Sequence, residues 1–80
     1  MPVILRYKGY KLFFYSNEGN PLEPLHIHVR KGESVAKFWI AHEVNLASSY
    51  GLSATELNDI AQFVRSNREA IERAWNEFFS

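Results

Sequence analysis

The sequence predicts an α+β domain in which an antiparallel sheet of about four strands, arranged as two hairpins, packs on two C-terminal helices. Residues 3–15 and 25–40 are rich in β-branched and aromatic residues, and each segment contains a glycine turn, as hairpins do. Residues 54–79 instead repeat apolar side chains every three or four positions, which is typical of helices. Strands that precede helices, rather than alternate with them, indicate the α+β class.

Length and composition favour one small domain over residues 1–80. The chain has 80 residues and no cysteine, so neither disulfides nor thiolate metal sites stabilise it. The apolar runs are too short to span a bilayer, and no signal-peptide pattern opens the chain, so we expect a cytoplasmic protein with no membrane contact. Residues 1–42 carry six basic and three acidic residues, whereas residues 43–80 carry three basic and six acidic ones. The first half is therefore the one suited to an anionic partner.

The first hairpin is predicted from two strands around a tight turn. Residues 3–7 form the first strand, Lys8 and Gly9 the turn, and residues 10–15 the second strand. Both faces of the second strand carry aromatic residues, which predicts a central or covered strand. Residues 16–24 then have the composition of a loop, either a binding loop beside the next strand or a simple connection.

The second hairpin contains a strand with one apolar and one histidine face. Alternation places Leu25, Ile27 and Val29 on the core side. A two-residue turn at Lys31 and Gly32 would set His26 opposite Lys37 and His28 opposite Val35. The polar face of the hairpin then carries His26, His28, Arg30, Glu33, Lys37 and Trp39.

Residues 41–52 give the weakest signal, and we expect a short extended piece or one helical turn there. The spacing of Ala47, Gly51 and Ser53 also matches a helix-turn-helix, but its recognition helix would present two acids and no base to DNA. A loop that ends in a capped helix is the preferred interpretation.

The C-terminal helical pattern carries two capping signals. Ser53 and Glu56 form a capping box, and Ser66 and Glu69 repeat the pattern. One unbroken helix over residues 54–79 would be about 39 Å long. That length exceeds a compact domain of this size, so we expect a break or sharp kink around Ser66.

The histidine face is the candidate active site. One neutral imidazole can take a proton from a ribose hydroxyl, and a second imidazolium or a lysine can stabilise the phosphate, which is the chemistry of RNA cleavage. We assign the catalytic positions to His26, His28 and Lys37. Arg30, Lys31 and Trp39 are the candidate binding residues, and no cofactor is expected.

Three alternatives remain open. The histidines can be structural, packed beneath the loop of residues 17–24 and hydrogen-bonded to its carbonyls. His26 and His28 can chelate a metal ion, although a pair of histidines is a weak signal and zinc needs three or four ligands. The chain can also be a non-enzymatic protein-binding module or a homodimer without catalytic activity, with Phe63 and Phe79 as an exposed apolar patch.

Several motifs together resemble the small bacterial family called domain of unknown function 4160. They are the opening Met-Pro-Val-Ile, residues 9–15, residues 23–29, Ala-Lys-Phe-Trp at 36–39, Gly-Leu-Ser at 51–53, Glu-Leu at 56–57 and Ala-Trp at 74–75. Where the family usually carries Pro-Pro-His, this chain has Glu23, Pro24, Leu25 and His26. The resemblance implies a toxin–antitoxin operon with a neighbouring small antitoxin-like protein as partner. It raises the expectation of action on RNA and identifies no catalytic residue.

Overall fold

The protein is an antiparallel sheet covered on one face by two helices, as seen in a computed structural model that describes residues 3–18 and 23–79. The strands are β1 (Val3–Tyr7), β2 (Tyr10–Phe13), β3 (His26–Lys31), β4 (Ser34–Ile40) and β5 (Val44–Tyr50). The helices are α1 (Ala54–Ser66) and α2 (Arg68–Phe78), and a short 3₁₀ turn covers Ser16–Glu18. The α+β prediction is confirmed, with five strands instead of four.

The sheet is a meander in which each strand pairs antiparallel with the next along the chain. Tyr7 pairs with Tyr10 across the first turn. Both turn residues have positive φ, 47° at Lys8 and 84° at Gly9, which is the geometry of a type I′ turn. The predicted turn at Lys8 and Gly9 is therefore confirmed.

The second hairpin turns one residue later than expected. Lys31 pairs with Ser34, so the turn residues are Gly32 and Glu33, not Lys31 and Gly32. Gly32 has a φ of 62° and is the turn's one residue with positive φ, as in a type II′ turn. Glycine adopts a positive φ without steric cost, so the turn begins at Gly32, and Lys31 remains the last residue of β3. The resulting register differs by two residues from the predicted one, and each side chain keeps its predicted face.

Of the two alternatives expected over residues 41–52, a short extended piece or one helical turn, the structure shows the extended one as the seven-residue strand β5. It pairs with β4, and a bulge at Ala47 separates the pairs Lys37–Ser48 and Phe38–Leu46. The helix-turn-helix alternative is wrong because Ala47 lies within this strand. The strand ends at Tyr50. Gly51 follows it with a φ of 77°, and the Gly51 carbonyl accepts a 2.9 Å hydrogen bond from Ser34 Oγ.

The helices begin and break close to where the capping signals predict. Ser53 Oγ accepts from the Glu56 backbone N–H at 3.1 Å, and the Glu56 carboxylate accepts from the Ser53 N–H at 2.9 Å, so the first capping box is confirmed. The break falls at Asn67, with φ −112° and ψ 16°. The second capping box is wrong, since Asn67 is the cap of α2 and makes no side-chain cap hydrogen bond.

One core lies between the sheet and the helices. Its fully or nearly fully buried apolar side chains are Tyr10, Leu12, Phe14, Ile27, Val29, Ala36, Phe38, Ile40, Ile60, Val64, Ile71 and Trp75. The predicted apolar face of β3 is confirmed by the burial of Ile27 and Val29. Neither helix among the described residues has the length and apolar character needed to cross a membrane.

Candidate functional site

The outer face of the sheet, opposite the helices, carries a row of cations. Arg6 of β1 pairs with Lys11 of β2, and Lys11 pairs with Arg30 of β3, so three basic side chains lie directly opposite one another on adjacent strands. All three residues are exposed. Like charges placed directly opposite destabilise a sheet, so this row has a cost that a bound anion would offset.

An open groove over β3, β4 and β5 lies next to the basic row. Arg30 pairs with Val35, and Val35 pairs with Tyr50, so the line of cross-strand neighbours that begins at Arg6 spans all five strands. The groove has a volume of about 430 Å³. Within the part of the chain that the structure describes, its lining residues are Tyr15, His28, Arg30, Val35, Ala36, Lys37, Ser48, Ser49 and Tyr50, and none of these carries a carboxylate.

His28 lies at the wall of this groove and is half-buried. Its ring stacks on Phe13 at a centroid distance of 5.7 Å and meets the edge of Tyr15 at 4.6 Å. Across the hairpin it pairs with Lys37, which in turn pairs with Ser48. The imidazole is therefore oriented by aromatic packing and lies next to a cation.

Lys37 is held in place by two contacts. Its ammonium lies 4.3 Å from the centre of the Trp39 ring, a cation–π geometry. Glu23 Oε1 lies 3.9 Å from Lys37 Nζ, at the limit for an ion pair, and both side chains are partly exposed, so this pair is weak. Lys37 thus lies at the groove opposite His28. The predicted register, which set Lys37 opposite His26, is wrong.

His26 is fully buried, with 0% of its surface exposed, and it does not line the groove. Its Nδ1 lies 2.7 Å from the Pro24 carbonyl, and because a carbonyl only accepts, Nδ1 carries the hydrogen. Three rings surround it at centroid distances of 5.0 to 5.4 Å: His28, Trp39 and Trp75. The alternative in which the histidines pack beneath the loop and bond to its carbonyls therefore fits the contacts of His26 with Pro24. Residues 19–22 of that loop lie outside the described residues.

The predicted binding residues divide between the two sides of the sheet. Arg30 lines the groove, and Trp39 lies under the Lys37 ammonium. Lys31 lies elsewhere, with its ammonium 5.1 Å from the centre of the Tyr10 ring. The structure adds Tyr50, which is 71% exposed on β5 and borders the groove. Sequence reasoning did not place Tyr50 at this groove, because residues 41–52 give only a weak strand signal.

Two carboxylates with lowered pKa values lie on α1, away from the groove. Asp59 accepts hydrogen bonds from the Tyr7 hydroxyl at 2.6 Å and the Lys8 ammonium at 2.9 Å, and these contacts lower the pKa of its carboxyl. The backbone N–H of Ser53 lowers the pKa of Glu56 in the same way. Asp59 thus joins the helix to the first hairpin, and the Tyr10 hydroxyl lies 3.5 Å from the Glu56 carboxylate.

The structure offers little support for a metal centre or for the predicted apolar patch. Within residues 3–18 and 23–79, no three His, Asp or Glu side chains are grouped to hold a metal ion. Phe63 stacks on Tyr7 at 4.1 Å, whereas Phe79 packs on Trp75 at 4.3 Å. Each phenylalanine is thus engaged with a different part of the fold, and the two do not form one patch.

The fold and the site define a small α+β domain whose helix-free sheet face is basic and aromatic. The model of the family described as "Domain of unknown function (DUF4160)" matches residues 9–76. The chain belongs to this family. No curated protein and no solved structure matches it.

Proposed function

We propose that this protein is the RNA-acting component of a toxin–antitoxin pair and that it binds single-stranded RNA on its outer sheet face. The row of Arg6, Lys11 and Arg30 carries the proposal, because three like charges facing one another cost stability unless an anion is bound. A phosphate backbone that crosses the strands would contact all three in turn.

The groove supplies the contacts that a single strand needs beyond charge. Tyr50 is exposed and Tyr15 half-buried at the groove, so each presents ring surface on which a base can stack. The hydroxyl of Ser48 adds a hydrogen-bonding group. Sheet faces that combine aromatic rings with cations suit unstacked bases, whereas duplex RNA hides its bases in the helix. Single-stranded RNA is therefore the expected ligand class.

The chemistry proposed for the groove is transesterification at a ribose phosphate. His28 takes the proton from a 2′-hydroxyl, and the oxygen attacks the adjacent phosphorus. The bond from phosphorus to the 5′-oxygen breaks, a water molecule protonates that oxygen, and a 2′,3′-cyclic phosphate remains. Lys37 stabilises the negative charge that develops on the phosphate. His26 takes the role of a positioning residue, because it is buried against the His28 ring.

Substitution of Lys11 by Gln tests the binding surface. Lys11 is the middle cation of the row, so Lys11→Gln should weaken binding of a fluorescent single-stranded RNA and reduce the slope of log affinity against log salt by about 0.7. The same change should slightly raise the free energy of unfolding, because it removes two like-charge contacts. The matched control is Arg65→Gln, which removes an exposed cation from α1. Equal RNA affinity in the wild type and Lys11→Gln would refute binding on this face.

Substitution of His28 by Gln tests the chemistry. His28→Gln should abolish cleavage of single-stranded RNA and relieve growth inhibition on expression, while RNA affinity remains close to that of the wild type. Product analysis by mass spectrometry should find the cyclic phosphate. If the variant cleaves as well as the wild type, His28 is not the base. Tight RNA binding with no cleavage by either protein would instead indicate a binding module.

A further inference from the structure

β5 forms one edge of the five-stranded sheet. Within the part of the chain that the structure describes, its one strand neighbour is β4. Its sequence, Val-Asn-Leu-Ala-Ser-Ser-Tyr, contains no charged residue and no proline. All of its residues except Val44 are exposed.

Edge strands in monomeric proteins are normally protected by charges, proline, bulges or a covering segment, since free N–H and C=O groups recruit another strand. Of these devices β5 carries the bulge at Ala47. The opposite edge differs, because β1 is two residues shorter and carries the exposed Arg6. The uncharged edge is therefore the one suited to pair with a further strand.

We infer that β5 pairs antiparallel with β5 of a second copy of this chain, so that the protein is a homodimer with one continuous sheet. An uncharged strand pairs with itself without like-charge contacts, and the formal net charge of the chain is zero, so two copies do not repel each other. A second copy would cover exposed side chains on both faces of β5. Leu46, on the helix side, is 45% exposed, and Tyr50, on the groove side, is 71% exposed. The contact is isologous, as in most homodimers.

The pairing would complete the proposed RNA site, and this part of the inference rests on the proposed function. A two-fold axis perpendicular to the sheet keeps both outer faces on the same side. Ser48 and Tyr50 line the groove from the edge strand, so β5 of the second copy would lie directly beyond them. The two grooves would form one basic and aromatic surface, to which each copy contributes one Tyr50.

Charge substitution at Ala47 tests the interface without RNA. Ala47 lies in the middle of β5, is exposed and does not line the groove. Ala47→Lys and Ala47→Glu should each be monomeric in analytical ultracentrifugation, because two like charges meet near the axis, whereas the wild type sediments as a dimer. A mixture of the two variants should sediment as a dimer again. The control Thr55→Lys adds the same charge on α1 and should remain dimeric.

The outcomes separate this inference from the proposed function. A wild type that sediments as a monomer at all concentrations, or variants that remain dimeric, would overturn the β5 interface whatever the RNA result. A wild-type dimer that Ala47→Lys dissociates supports the interface even if no RNA binds. Circular dichroism of both variants establishes that they are folded. If both the dimer and RNA binding are observed, Ala47→Glu should weaken binding of a long RNA more than of an RNA that fills one groove.

Discussion

His26 and His28 differ by two positions in sequence and lie in different surroundings. Both project from the same face of β3 and their rings are 5.0 Å apart. His26 is sealed by Trp39 and Trp75 and bonded to the Pro24 carbonyl, whereas His28 borders the open groove. His26 is therefore enclosed within the fold, whereas His28 is half-buried at the wall of the groove.

We expect His26→Ala to destabilise the protein more than His28→Ala. The first substitution leaves a buried cavity and deprives the Pro24 carbonyl of its hydrogen bond, which costs roughly 2–5 kcal/mol. The second removes ring contacts with Phe13 and Tyr15 but opens onto solvent, so water fills the space. Urea titration of both variants measures the two costs. Equal losses would mean that the observed difference in burial has no energetic weight.

The alternation of residues 24–30 predicts which face each histidine occupies, and the structure confirms it for His26 and His28. Alternation carries no information on what covers an outward position. Here the cover is Trp75, which reaches His26 from α2, far away in sequence. The difference between a buried and an open histidine is decided by that tertiary contact and was not accessible from the strand pattern.

At the scale of elements, the first hairpin is joined to α1 through Asp59. Its carboxylate binds the Tyr7 hydroxyl and the Lys8 ammonium, and both contacts lower its pKa from the ordinary value of 3.8. A carboxyl whose folded pKa is lower than its unfolded pKa stabilises the folded chain above the unfolded pKa. That stabilisation is lost as the pH falls through the folded pKa.

Asp59→Asn should therefore reduce stability at neutral pH and have a smaller effect in acid. Urea titrations of the wild type and the variant at about pH 7 and about pH 3 give the difference at each pH, which should shrink on acidification. Glu72→Gln, which removes an exposed carboxylate of α2, is the control and should show no such convergence. A difference that stays constant with pH would exclude the ionised Asp59 as its cause.

The start of α1 depends on a capping box of which Ser53 is the first residue. Ser53→Ala removes the acceptor for the Glu56 N–H and should lower the free energy of unfolding by about 1 kcal/mol. Asparagine at this position is also a good cap, so Ser53→Asn should retain most of the stability. Thermal melts followed by circular dichroism compare the two, and an equal loss in both would point away from capping.

Element types follow from the sequence wherever a strong pattern exists, and they fail where tertiary context decides. The hairpin strands and both helices have clear patterns, and their prediction is confirmed. β5 is rich in small polar residues, and its extended backbone is fixed by pairing with β4. The register of the second hairpin depends on whether Lys31 or Gly32 occupies the first position of the turn. Gly32 occupies it, with a positive φ, and His28 therefore pairs with Lys37 and not with Val35.

At the scale of the whole molecule, sheet and helices share one core and should unfold together. Trp39 lies on β4 and Trp75 on α2, so each tryptophan reports on a different element. Single-tryptophan variants, Trp39→Phe and Trp75→Phe, should give fluorescence transitions that coincide with the loss of helical circular dichroism in the same variant. Separated transitions would mean that α2 leaves the sheet before it unfolds.

The meander order has a consequence for synthesis on the ribosome. Every strand pairs with the strand made just before it, so pairing can proceed as the nascent chain emerges and needs no distant segment. The apolar side of the sheet, however, is covered only by α1 and α2, which are translated last. A nascent chain that stalls after β5 would therefore expose Ile27, Val29 and Phe38 together with an open strand edge, and it would be a ready target for chaperones or for aggregation.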